Sequence, residues 1–151
     1  MKHPAPDNHY QTEHARLLFD SYQNLTGKPL LKTFDAKALF EAPFVVVSHD
    51  GGDDPILTYG NLAALKLWET DWNSLTQMPS RLTAEPMHLE DRTALLEATT
   101  RQGYIDDYNG IRISSTGNRF RIEQAVVWNL TRQDGTVCGQ AAMFSNYIHI
   151  T

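Results

Sequence analysis

The sequence predicts an α+β domain: a five-stranded antiparallel sheet with helices on one face, plus an N-terminal helix. Three observations carry this. Two β-rich runs, Phe44–Val47 and Ile56–Tyr59, flank a turn-forming stretch, Ser48–Pro55. A helical block follows and ends in a long helix over Leu89–Gln102. The last third reads as two consecutive hairpins, with Asp134-Gly135 the strongest turn signal. At 151 residues and 41% hydrophobic content, the chain suffices for one domain around one core.

The elements follow in order. Tyr10, His14, Leu17, Leu18, Ser21, Tyr22 and Leu25 recur at helical spacing, and Gly27 and Pro29 end that helix. This amphipathic helix either caps the sheet or packs on a second subunit. Asp35 caps a short helix to Glu41, and Pro43 stops it. Phe44–Val47 is a buried strand. Ser48–Pro55 joins it to the strand around Ile56–Tyr59 through two glycines, three aspartates and a proline. Asn61 caps a helix carrying Leu62, Leu65 and Trp68, and Asp71 caps another carrying Trp72 and Leu75. Met78–Pro86 is irregular. In the long helix, Leu95, Leu96 and Thr99 lie on or near one face, and Gly103 ends it. Tyr104–Ser115, Phe120–Leu130 and Val137–Ile148 are the last three strands, joined by turns at Thr116-Gly117-Asn118 and Gln133-Asp134-Gly135.

Bulk properties exclude several classes. A net charge of −5 without long like-charge runs gives no nucleic-acid footprint. One cysteine, Cys138, rules out an internal disulfide, and in a strand it reads as a small hydrophobe. No apolar run approaches the ~20 residues of a membrane span. Met1–Gln11 lacks the regions of a signal peptide, so a cytoplasmic location is expected. The six histidines form no metal-ligand spacing, and Asp50, Asp53 and Asp54 match no calcium loop. Ser48-His49-Asp50 are neighbours in sequence, which is not triad geometry.

The segments Ala42–His49, Pro79–Pro86, Gln102–Tyr108, Arg119–Glu123 and Val127–Leu130 resemble bacterial members of the MEKHLA family, a PAS-like domain. The resemblance spans about Thr12 to Tyr147. It implies the PAS fold, in which the space between helices and sheet holds small ligands. It brings no agreed ligand and no activity. The same domain ends plant homeodomain-leucine zipper proteins, but no basic homeodomain or zipper heptads occur here. The expected organisation is a disordered stretch 1–8, an N-terminal helical segment 9–41 and the PAS-like domain 42–151.

Two cofactors were weighed against the residues. Ser80-Arg81-Leu82-Thr83-Ala84-Glu85-Pro86 looks like the flavin signature of light-oxygen-voltage (LOV) sensors, yet Ser80 stands at the reactive cysteine position and cannot form the thiol adduct. Arg112 and Ile122 stand where that family places two ring-reading asparagines. His88, at the start of the long helix, is the candidate haem ligand but sits early for that role. Neither flavin nor haem is therefore expected, and the ligand stays unknown. Arg81 either grips an anion or pairs with Glu85 or Asp91. Were Arg81 and Arg112 both to face the cavity, a carboxylate or phosphate would follow.

Strand parity places Phe120, Ile122, Gln124, Val126 and Trp128 on one face of their strand, taken as the helix-facing one, and on the last strand Gln140, a second candidate polar reader, shares its face with Ala142 and Phe144. The parity of Tyr104–Ser115 stays open, because a bulge near Asn109-Gly110 would switch it. The candidate cavity set is Trp68, Arg81, His88, Leu96, Arg112, Ile122, Gln124, Trp128, Gln140 and Phe144. A filled core with satisfied amides is the bland alternative. The expected role is a non-catalytic sensory or regulatory module that binds a small molecule or a signalling protein. A homodimer through the N-terminal helix or outer sheet face is one option. The alternatives are a small enzyme, using Asp106, Asp107, Glu123 and His88, and a pure interaction module.

Overall fold

The computed structural model describes all 151 residues. Helix α1 spans Thr12–Thr26 and α2 spans Ala36–Phe40. Strands β1 (Val45–Asp50) and β2 (Leu57–Gly60) follow, then helices α3 (Leu62–Leu67), α4 (Trp72–Leu75) and α5 (Leu89–Gln102). The chain closes with β3 (Tyr104–Ile113), β4 (Arg119–Thr131), β5 (Val137–Phe144) and β6 (Asn146–Ile150). All pairings are antiparallel, in the order β2-β1-β5-β4-β3. The predicted last strand breaks at Ser145, so that β5 and then β6 pair with successive halves of β4.

Local chemistry explains the helix starts. Asp35, Asn61 and Asp71 accept hydrogen bonds from Ala38, Ala64 and Ser74 amides, each three residues on. Gly27 closes α1 at φ 75°, where a residue with a Cβ would be strained. Asn61 does more than cap. Its side chain is fully buried, accepts from Val46 N at 3.0 Å, and donates to Phe44 O at 2.8 Å and Leu39 O at 3.2 Å.

The sheet is covered on both faces. Alternation on β1 places Val45, Val47 and His49 towards α3 and α5, and Val46 and Ser48 towards α1. Helix α1 lays Ala15, Leu18 and Tyr22 on the outer face, where Tyr22 meets Trp128 edge-on at 4.9 Å. Its apolar stripe is therefore occupied within the subunit. On the same side, His14 stacks on Tyr59 at 5.6 Å and bonds Ser48 Oγ at 2.9 Å. The inner-face cluster groups Val45, Ala64, Leu67, Trp68, Phe120, Ile122, Ala125 and Phe144.

Two bulges redirect the long strands. Between the pairs Ile105↔Val127 and Tyr108↔Ala125, β3 carries one extra residue, with Asp107 at φ 57°. Between Tyr108↔Ala125 and Gly110↔Ile122, β4 carries the extra residue, Gln124, at φ 55°. The insertions cancel, and the register is restored by Gly110. Ile122 and Ala125 consequently both face inwards, whereas Gln124 is exposed and Trp128 lies on the α1 side. The single parity expected for β4 holds only up to Ile122, and the bulge expected at Asn109-Gly110 lies at Asp107.

The stretch 1–8 packs beside α4. Pro4 is buried, Pro6–Asn8 forms a 3-10 turn, and Met1 O accepts from Trp72 Nε1 at 2.8 Å. No helix is long and apolar enough to cross a membrane.

Replacing Asn61 by Ala removes a cap and strands buried amide and carbonyl groups, so it is expected to cost about 3 kcal/mol in denaturant unfolding. A loss under about 1 kcal/mol, the worth of a cap alone, would deny Asn61 this role.

Burial lowers the His14 pKa from 6.5 to about 4. Between those values the unfolded chain binds a proton that the fold refuses. Stability from His14 is therefore intact above pH 6.5 and falls as pH drops towards 4, by about 1.4 kcal/mol per unit well below 6.5. Unfolding curves of wild type and His14→Gln should diverge across that window, the variant losing less; parallel curves would refute the assignment.

Candidate ligand cavity

A cavity of about 70 Å³ lies between α5 and the inner face of the sheet. Its apolar wall includes Trp68, Leu95, Leu96, Ile122, Ala142 and Phe144. Its polar wall includes His49, Ser80, Arg92, Tyr108, Arg112 and Gln140. No Asp or Glu lines it.

Each polar group is held by a distinct device. Leu57 N donates to Met78 O, Ser80 N donates to Pro55 O at 2.7 Å, and Ile56 bridges Pro79. The segment predicted as irregular is thus zipped beside the start of β2, which fixes Ser80 at the cavity. Arg92 leaves α5 on the stripe of Leu95, Leu96 and Thr99 and donates to Ser80 Oγ at 2.6 Å. Tyr108 folds across Gly110, where an added Cβ would collide with the phenol. Its hydroxyl donates to Asp91 at 2.7 Å and accepts from Arg112 Nη2 at 3.2 Å, and the Arg112 guanidinium stands 5.7 Å from the ring centroid. Gln140 Nε2 lies within reach of Leu96 O, Thr100 Oγ1 and Asn129 Oδ1, tying β5 to α5.

His49 closes the site from β1. Its Nδ1 faces Asp50 O at 2.7 Å, and since a carbonyl only accepts, Nδ1 carries the proton. Nε2 is then left as a buried acceptor without a partner; Trp68 Nε1 is a buried donor without one. Burial lowers the His49 pKa, and the Arg92 charge adds to the effect. Burial likewise lowers that of Arg92, with repulsion from Arg112 second. The Tyr108 phenol is raised, mainly by burial.

Six of the ten residues proposed from sequence line this cavity: Trp68, Leu96, Arg112, Ile122, Gln140 and Phe144. The other four do not. Arg81 is exposed and pairs with Asp54 at 3.1 Å, not with Glu85 or Asp91. Glu85 instead takes Arg119 at 2.6 Å. His88 ends a short 3-10 turn before α5, outside the cavity. Gln124 is displaced by its bulge and bonds Asn146. Trp128 is buried under α1. Sequence reasoning missed His49 because the strand was ended at Val47, whereas β1 runs to Asp50. It missed Arg92 although positions 92, 95, 96 and 99 form one helical stripe, a signal that was present. On the open question of β3, Tyr108 and Arg112 face inwards.

The cavity is far below the roughly 300–1,000 Å³ of most cofactor and drug sites. Arg81, the residue at the flavin-phosphate position of the resemblance, does not line it.

A family model for the MEKHLA domain matches residues 12–149. No curated protein matches the chain. Among solved structures, the PAS domain of a protein from Colwellia psychrerythraea superposes with a TM-score of 0.63 at 18% identity, over 77% of this chain and 93% of that one. A light-oxygen-voltage domain studied with a flavin analogue gives 0.60 at 15% identity, over 77% and 84%. An RNA-binding light-oxygen-voltage receptor gives 0.59 at 16% identity over 76% of this chain, which spans only 32% of that receptor. These likenesses show the fold.

Gly110→Ala should lower stability by about 1–3 kcal/mol through the collision with Tyr108. In a Tyr108→Ala background the same change should be neutral or favourable, since alanine suits a strand better than glycine. A double-mutant cycle is expected to give a coupling of about 1 kcal/mol or more; additive effects would show that the ring does not lie there.

Proposed function

The chain belongs to the MEKHLA domain family, and we propose that it works as a non-catalytic sensory or regulatory module whose cavity takes a small molecule. One observation carries this reading: the helix-facing side of the sheet is not closed by packing, but leaves a cavity whose lining includes the buried Arg92 and Arg112 and no Asp or Glu. Buried cations are usually paired, so the partner of these two is sought in a ligand.

The enzyme alternative finds less support. Asp106 and Asp107 are exposed, Glu123 ion-pairs with Arg121, and His88 lies outside the cavity. The one lining histidine has no carboxylate to orient it, and no nucleophile–base pair stands in the site. We place the route for output on β1. Ser48 and His49 are neighbours on β1: His49 lines the cavity, and Ser48 bonds His14 of α1 at 2.9 Å on the other face.

A second reading, protein interaction, draws on β6. It is paired only with β4, and Tyr147 and Ile148 are exposed on it, at 41% and 48%.

The test uses protein purified from its own host. Native mass spectrometry should find a bound small-molecule mass, and Ala142→Phe, which fills the cavity, should remove it with circular dichroism unchanged. Turnover of that molecule by wild type would overturn the non-catalytic assignment. No bound mass, together with no thermal shift across a metabolite library, would overturn the binding assignment and leave the β6 edge.

A further inference from the structure

Arg92 and Arg112 are each only 7% exposed, and no carboxylate lies within 4 Å of either guanidinium. Each guanidinium carries five N–H donors. Arg92 places one on Ser80 Oγ; Arg112 places two, on Ile111 O and Tyr108 Oη. The remaining N–H groups have no protein acceptor. Burying one unpaired cation costs several kcal/mol, and burying two that repel costs more. Asp54, whose charge bears on Arg92 from a distance, is exposed and paired with Arg81, and the exposed Asp91 accepts from the Tyr108 hydroxyl. The protein thus holds two like charges in one small space without an internal counter-ion.

Resting on the ligand-binding reading above, we propose that this cavity is a site for a small organic carboxylate. Arg92 and Arg112 grip the carboxylate, and the apolar wall takes its tail. The planar fork of a guanidinium matches a carboxylate bidentately. The side formed by Leu95, Leu96, Ile122 and Phe144 distinguishes an organic acid from inorganic phosphate, which has nothing to set against it. A cavity of about 70 Å³ suits a short-chain acid rather than a large ligand.

Thermal unfolding and calorimetric titration of the full chain test this with propionate, lactate, propionamide and inorganic phosphate as probes. One of the two carboxylates should raise the melting temperature by about 5 °C at a hundredfold excess over its dissociation constant. Propionamide, matched in shape but uncharged, should not. Arg92→Met and Arg112→Met should each weaken carboxylate binding about tenfold or more. The unliganded variants should melt no lower than wild type, because each loses an unpaired buried charge. Should either variant not fold, the carboxylate–amide contrast on wild type still decides. An equal response to propionamide, no response to either carboxylate, or a stronger response to phosphate would each overturn the assignment. If a neutral molecule co-purifies and Ala142→Phe displaces it, the carboxylate assignment fails while the sensory reading stands. Silence from all probes, with no co-purified mass, removes both.

Discussion

Asn61 takes part in six hydrogen bonds, one of them the Leu65 N to Asn61 O bond of α3, and the geometry of the cavity depends on the other five. Its backbone N donates to Val46 O at 3.0 Å, and its side chain ties Val46 N, Ala64 N, Phe44 O and Leu39 O. One residue thereby joins the end of α2, the entry of β1 and the start of α3. A buried amide of this kind is tolerated because all its groups are satisfied. Its placement sets two others. Entering β1 at a fixed phase, the chain turns Val45, Val47 and His49 inwards and Val46 and Ser48 outwards. Starting α3 at a fixed angle, it delivers Trp68, just beyond the helix, against Phe120 at 5.2 Å and Phe144 at 6.3 Å.

The two sides of the sheet are built differently. Helix α1 buries Ala15, Leu18, Phe19, Ser21 and Tyr22 against the outer face, where Ser21 Oγ also accepts from Thr131 N at 2.9 Å. Helix α5 buries only Arg92, Leu95 and Thr99, and one of these is a cation. Its remaining hold on the sheet is polar: Gln140 and Asn129 reach the carbonyls of Leu96 and Thr100. The hold of α1 is thus mainly apolar, whereas that of α5 is shared between apolar and polar groups.

Much of this architecture could be read in the sequence, and the failures share one cause. Asn61, Asp35 and Asp71 were recognisable as caps, and Asp134-Gly135 as a turn, because that chemistry is confined to a few adjacent residues. Trp68, Leu96, Ile122 and Phe144 were placed because helix stripes and strand alternation hold over their neighbourhoods. Gln124 and Trp128 were misplaced because alternation was carried through a bulge. Asp107 is of a type that tolerates positive φ, but no local signal marks Gln124 as left-handed. Its insertion is imposed by β3 across the ladder, a non-local constraint. Arg81 followed a motif resemblance, and its neighbour in space, Asp54, comes from a loop 27 residues earlier.

A sheet with one firmly packed face and one cavity face is suited to passing a local event from one side to the other. Successive residues of a strand point to opposite faces, so a shift of β1 that moves His49 also moves Ser48. Ser48 Oγ sits between His14 at 2.9 Å and Thr58 at 2.8 Å, so that shift changes the contact with α1 directly. A ligand drives such a change only by the difference in its affinity for the two arrangements. On the proposed carboxylate site, an anion between Arg92 and Arg112 would supply that difference, because it would remove a repulsion that the unliganded fold carries.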